Sequence, residues 1–143
     1  MVYSAQSDLV ARYGEAQLLL IADRDGDGEI DATVITDAIT DADSIIDLHV
    51  RGRYAVPLSP VPAEILGVSC AIARYKLYEN GNDVPDVAKE GFKSAMALLR
   101  SIADGTAVLT SAPASSSDPA ATSGEVETSG DDPVFTSDSL KGF

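Results

Sequence analysis

A single cysteine, Cys70, leaves the chain no internal disulfide to form, so nothing in it calls for an oxidising compartment. Lysine and arginine are scarce, 10 against 23 aspartates and glutamates, for a net charge of −13. A chain this acidic does not grip the outside of duplex nucleic acid, because that grip comes from cations neutralising phosphates. No apolar run approaches the roughly 20 residues needed to cross a bilayer. The stretch MVYSAQSDLV has neither the basic nor the apolar region of a signal peptide. The expectation is a soluble protein made in a cytoplasm, with no membrane partner. Aromatic residues amount to only 6%. A small core built largely on Ala and Ile buries modest area per residue, which predicts stabilisation by packing against copies of itself or a partner.

What is present divides 143 residues into three parts. Residues 1–109 read as a helical core, residues 110–133 as a flexible Ser/Ala/Pro-rich acidic linker, and residues 134–143 as a separate C-terminal arm. The linker, TSAPASSSDPAATSGEVETSGDD, has almost no large apolar side chain and so cannot offset the entropy of ordering. Apolar residues then return in PVFTSDSLKGF, at Val134, Phe135, Leu140 and Phe143. A short docking arm is one reading of that return, and an uncommitted tail is the other.

Within the core, Ser7 is placed to cap a helix through Leu9, Val10 and Tyr13 that Gly14 ends. A second helix follows over residues 15–22, where Leu18, Leu19, Leu20 and Ile21 are too apolar to be fully exposed. The clearest pattern comes next. Val34, Ile35, Ala38, Ile39, Ala42, Ile45, Ile46 and His49 recur at three- and four-residue steps, while Asp37, Asp41, Asp43 and Asp47 occupy the other face. This predicts a helix of about five turns, capped by Asp31 and stopped near Gly52. YAVPLSPVPAE keeps the chain extended until Pro62 starts the next helix, whose stripe runs through Ile65, Leu66, Ser69, Ile72, Ala73 and Lys76. After the ENGNDVP loop, Pro85 or Asp86 opens a last helix through Val87, Phe92, Ala95, Met96, Leu99 and Ile102, closed by Asp104 and Gly105. The expected fold class is mostly α, a small helical bundle with a disordered or extended C-terminal arm.

The stretch DRDGDGEID, residues 23–31, raises the question of a metal. A helix–loop–helix calcium site draws oxygens from loop positions one, three, five, seven and nine, with glycine at six and a bidentate Glu at twelve. Asp23, Asp25, Asp27, Gly28, Glu29 through its carbonyl, and Asp31 match the first nine positions, but position twelve is Val34. Without that carboxylate, any calcium site here is weak and completed by water. The competing reading is a glycine-hinged turn in which Asp31 caps the long helix and the other acids face its positive end. His49 reads as a core or interface residue and Cys70 as a small buried thiol. Arg74, Lys76 and Arg100 read as surface or inter-subunit partners for the acids. With no phosphate-cradling loop, His/Cys cluster or catalytic carboxylate pair, no enzymatic activity and no cofactor beyond weak calcium at 23–31 are expected.

Several segments taken together, LVARYGEAQLLLIADRDGDGEID, RYAVPLSPVP, SCAIARYKLY and FTSDSLKGF, resemble a family of Mu-like phage and prophage proteins. That family is similar to the small helical head-completion proteins, also called head–tail adaptors or connectors. The resemblance implies a virion protein at the head–tail junction, present in the host cytoplasm during assembly. It further implies a homo-oligomeric ring, expected to be twelvefold, bound beneath the portal protein and joined to a tail or neck protein. DNA would pass through its channel without specific binding, past walls whose like charge repels the phosphates. In this reading Val134, Phe135, Leu140, Lys141 and Phe143 dock the arm on the portal or a neighbouring subunit. Two other classes stay open: a calcium-binding helix–loop–helix module, and an acidic DNA mimic, which would be a discrete monomer or dimer rather than a ring.

Overall fold

The structure is a computed structural model and describes residues 2–79 and 83–110. Its regular elements, among the described residues, are five helices: α1 (Gln6–Tyr13), α2 (Glu15–Ala22), α3 (Ala32–Val50), α4 (Ala63–Glu79) and α5 (Asp86–Ala103). The mostly α bundle expected from the sequence is what the chain forms, with three long helices and two short ones before them. The proposed linker and arm, including Val134, Phe135, Leu140, Lys141 and Phe143, lie outside the described residues, as does 80–82 of the loop before α5.

The long helices form the bundle, with α4 in the middle packed against both α3 and α5. Their shared interior is aliphatic. Ile35, Ile46, Ile65, Ile72, Leu77, Leu99 and Ile102 are all fully or almost fully buried, and each such side chain contributes about 1.5–3 kcal/mol relative to exposure. Tyr75 and Phe92 stack between α4 and α5 with ring centroids 4.2 Å apart. The short pair, α1 and α2, lies against α3 and α4 and inserts Leu9, Leu18 and Ile21 into the same core.

Helix boundaries follow local chemistry, with two departures from expectation. Ser7 lies inside the first turn of α1 and does not cap it. The cap position is Ala5, whose N–H is taken by the Asp8 carboxylate at 2.8 Å. Gly14, at φ 86°, ends α1 and starts α2, a backbone conformation that costs glycine little. Asp31 holds the N-cap position of α3, but its side chain makes no capping bond and instead accepts from the Arg24 N–H at 2.9 Å. Along the outer face of α3, the hydroxyls of Thr36, Thr40 and Ser44 each donate to the carbonyl four residues back.

The connection between α3 and α4 contains cis peptide bonds at Val56–Pro57 and Ser59–Pro60 and places Leu58 in the core, fully buried. Pro62 then offers its carbonyl to the N–H groups of Ile65 and Leu66 at the start of α4. Beyond α5, Gly105 reverses the chain at φ 80°, and the Tyr54 hydroxyl receives the buried Leu109 N–H at 2.9 Å. That contact fastens the segment after α5 to the end of the bundle where α3 finishes.

Candidate functional site

The acidic loop joins α2 to α3 and is closed at its base by the Asp31 N–H donating to the Ala22 carbonyl at 3.1 Å. Inside, the backbone curls around its own carboxylates. Asp23 accepts from the Gly26 N–H at 2.7 Å and the Gly28 N–H at 3.0 Å, Asp25 from the Asp27 N–H at 3.1 Å, and Asp27 from the Glu29 N–H at 2.8 Å. Gly26 and Gly28 take φ of 77° and 85°, where a side chain would be strained. The turn therefore brings oxygens of Asp23, Asp25 and Asp27 within 4.8 Å of one another.

Of the four side chains expected as ligands, the fold gathers these three, while the Asp31 carboxylate accepts from the Arg24 amide. Glu29, whose expected contribution is its backbone carbonyl, follows in the same turn and donates its N–H to Asp27. Val34, at the twelfth position, packs against the core as Ile30 does. The Asp25 carboxyl is pulled down by the bond from Asp27. Slight desolvation and the charges of Asp27, Asp31 and Asp23 outweigh that bond and leave it above its ordinary range. The arrangement is chemically a small anionic cup able to attract a hard cation, with few of the oxygens that calcium requires.

A second polar assembly is buried where the sequence shows only a polar helix face. Asp43, expected on the solvent side of α3, is just 8% exposed. Both its oxygens receive the Tyr3 N–H, at 3.2 and 3.3 Å, and one receives the Ser69 hydroxyl at 3.2 Å. Ser69 and Ser4 share a hydroxyl bond of 2.8 Å. The Tyr3 phenol donates to half-buried Asp47 and accepts the Leu58 N–H at 3.0 Å. Residues 3 and 4 thus clip α3, α4 and the proline loop together. Burial pushes the Asp43 carboxyl up against the pull of its two donors. The Tyr3 phenol rises to about 12, through burial first and then its bond to Asp47.

The remaining expected residues are placed plainly. Arg74 lies over the Tyr13 ring, 4.5 Å from its centroid, and faces Tyr78 at 5.9 Å, so this cation serves an aromatic contact between α1 and α4. Lys76 pairs with Glu79 on its own helix at 2.9 Å. His49 is half-buried, with Nδ1 against the Ile45 carbonyl at 2.8 Å. Cys70 is fully buried, and burial raises its thiol. Val87, expected inward, is 71% exposed, and Ala88 takes the core position instead.

One surface is missing from the sequence reading. Leu20, expected to be covered, is 75% exposed, and with Ala16 and Leu19 it forms an apolar ridge on the outer side of α2. Clefts of about 530 and 370 Å³ flank that ridge. The larger runs towards Gly28, Glu29 and Ile30 and has Glu15 on its rim, and the smaller ends at Asp23. The available signal is the run LLLI in an eight-residue helix, which has too few buried directions for four consecutive large apolar residues.

The family model described as bacteriophage Mu, Gp36 matches residues 3–128. The chain belongs to this Mu-like phage family. It is similar to the protein named gene product J of Escherichia phage Mu, with 30% identity over 146 residues covering 100% of this chain and 99% of that protein. It is also similar to the Mu-like prophage FluMu protein gp36 of Haemophilus influenzae, 31% identical over 105 residues and 73% of each chain. The acidic loop, the Tyr3–Asp43 clip and the α2 ridge all fall inside the matched span. Among the described residues, no helix is long and apolar enough to cross a membrane.

Proposed function

We propose that the chain is a structural protein of the virion, a head–tail adaptor whose copies form a ring that joins the portal to the neck or tail. The observation that carries this reading is α2. A helix that is apolar on all sides is ordinarily covered, yet its outer ridge at Ala16, Leu19 and Leu20 faces solvent, so the folded chain is an incomplete unit suited to assembly. Membership in a Mu-like phage family supplies the setting. The net charge of −13 suits a wall that DNA slides past, since like charges repel the phosphates. The chain acts by binding geometry, without catalysis and without a required cofactor. Its core builds the ring, and residues 134–143 fasten it to the portal or a neighbour.

The test is electron microscopy of the protein mixed with portal-bearing heads. Expected is a ring seated beneath the portal that is lost when residues 134–143 are deleted while the core stays folded. Heads that remain bare with the full chain would refute the adaptor, and a truncated chain that docks normally would refute the arm.

A second reading, calcium binding, is favoured by one observation, the three carboxylates within 4.8 Å. With Val34 in the twelfth position and Asp31 diverted to Arg24, affinity is expected at the weak end for such loops, about 10⁻⁴–10⁻³ M. Calorimetric titration with calcium checks this: sensor-range affinity that vanishes on Asp25→Ala would make the loop a functional metal site.

A further inference from the structure

We infer that the clefts flanking α2 are the receiving surface for residues 134–143 of this same sequence. The inference rests on the arm reading above and supplies what that reading lacks, an acceptor. Three observations meet here.

The first is apolar content. Of the five large apolar side chains in residues 111–143, four fall in the last ten positions: Val134, Phe135, Leu140 and Phe143. Two of the chain's three phenylalanines are among them. The α2 ridge offers the matching surface, with Ala16, Leu19, Leu20 and Ile30 lining shallow, open clefts. Open clefts of this kind suit side chains spaced along an extended segment better than an enclosed small molecule.

The second is charge. Glu15 and Glu29 border the larger cleft and Asp23 the smaller. Lys141 is the sole cation in residues 111–143 and sits between Leu140 and Phe143. Of the six acids in residues 111–143, five, Asp118, Glu125, Glu127, Asp131 and Asp132, precede residue 134, and Asp138 alone lies within the last ten. Lys141 offsets Asp138, so this apolar segment meets an apolar cleft with an acidic rim without the repulsion that the acidic stretch before it would feel. Like charge keeps that stretch off the same rim, so only the last ten residues match the site.

The third is reach. Thr110 follows Leu109, which is tied to Tyr54 beyond the end of α3, whereas the clefts lie beside the loop that starts α3. Nineteen helical residues put these ends about 28 Å apart. The 23 positions of 111–133 span at most about 80 Å, enough to arrive at the cleft of the same copy or of an adjoining one.

The experiment uses the full chain with a photo-crosslinking amino acid in place of Phe135 or, separately, Phe143, followed by mass mapping of the product. Adducts are expected within residues 15–30, and a dilution series separates adducts within one copy from those between copies. Leu20→Asp, at an exposed position that leaves the core intact, should lower the yield roughly tenfold or more. Glu29→Lys should lower it too, and adding Lys141→Glu should restore it, which general unfolding does not do. Adducts scattered over the other helices, or a yield indifferent to Leu20→Asp, would overturn the inference. The adaptor reading fails separately: adducts at α2 without any ring on portal-bearing heads would leave this docking intact and remove that function.

Discussion

Replacing Tyr3 by Phe removes one oxygen from the buried clip, and the structure sets the size and pH dependence of the effect. The phenol accepts the N–H of Leu58, a fully buried residue, at 3.0 Å. Without it that donor has no partner, which costs about 1–3 kcal/mol. Asp47 also loses a donor, but it is half-buried and within reach of water, so this loss adds little. Against a typical domain stability of about 5–15 kcal/mol, the change is readily measured. The phenol is neutral when protonated, and its pKa rises from 10.0 unfolded to about 12 folded. The folded state therefore holds the proton more tightly. The stabilisation is fully present below pH 10 and is lost as pH rises from there towards 12. A shift of that size corresponds to about 2–3 kcal/mol. The Tyr3→Phe variant has no such titration, so wild type loses ground that the variant keeps. Urea unfolding of both proteins, followed by circular dichroism at a series of pH values, should show a gap of about 1–3 kcal/mol near pH 7 that closes or reverses towards pH 12. A gap unchanged across that range would refute the burial of the phenol and its bond to Leu58.

Asp43→Asn keeps an acceptor for the Tyr3 N–H and removes the charge. Because burial raises the Asp43 carboxyl, its contribution to stability is present below the ordinary carboxylate range and lost as pH rises through the raised value. The variant should therefore be at least as stable as wild type at pH 7 and lose that advantage at pH about 4 and below, read by thermal melts across pH; a variant clearly less stable at pH 7 would contradict this. Gly105→Ala forces a side chain to φ 80°, with its Cβ 2.7 Å from an Arg53 guanidinium nitrogen. The arginine tip can swing aside, so the backbone sets the cost at about 1–2 kcal/mol, visible as a lower melting temperature, whereas Gly52→Ala, which meets nothing and has no positive φ, should shift it far less.

The fold was legible because its signals were redundant. The α3 stripe, the prolines before α4 and the Asp104–Gly105 stop each marked an element that the structure contains. The clip was not legible, and the reason is physical. Helical periodicity records which face a residue takes, and it placed Asp43 and Asp47 on the polar face. It cannot record that a segment forty residues away folds over that face and supplies N–H and O–H donors. Ser7 and Asp31 show the same limit at smaller scale: both are good caps by type, but Ser7 falls inside the first turn of α1, and Asp31 holds the cap position while its side chain turns to the Arg24 amide. At the candidate site, spacing marks Asp23, Asp25 and Asp27, whose oxygens the turn brings within 4.8 Å of one another. It missed the diversion of Asp31 to the Arg24 amide, a competition between two backbone donors that depends on the loop's closed shape. Composition marks Leu18, Leu19, Leu20 and Ile21 as too apolar to be fully exposed, but it does not say which of them the same chain covers; Leu18 and Ile21 are buried and Leu20 is 75% exposed.

The clip also has a consequence for the order in which the molecule comes into being. Its bonds join residues separated by 40, 44, 55 and 65 positions, among the costliest loops to close in a chain of mostly local helical contacts. During synthesis Tyr3 is made well before Asp43, Asp47 and Leu58, so it has nothing to bind until α3 is made, and Ser4 waits longer still for Ser69 in α4. The first residues of the core are thus seated only after later ones are made, and their closure ties α3, α4 and the proline loop together.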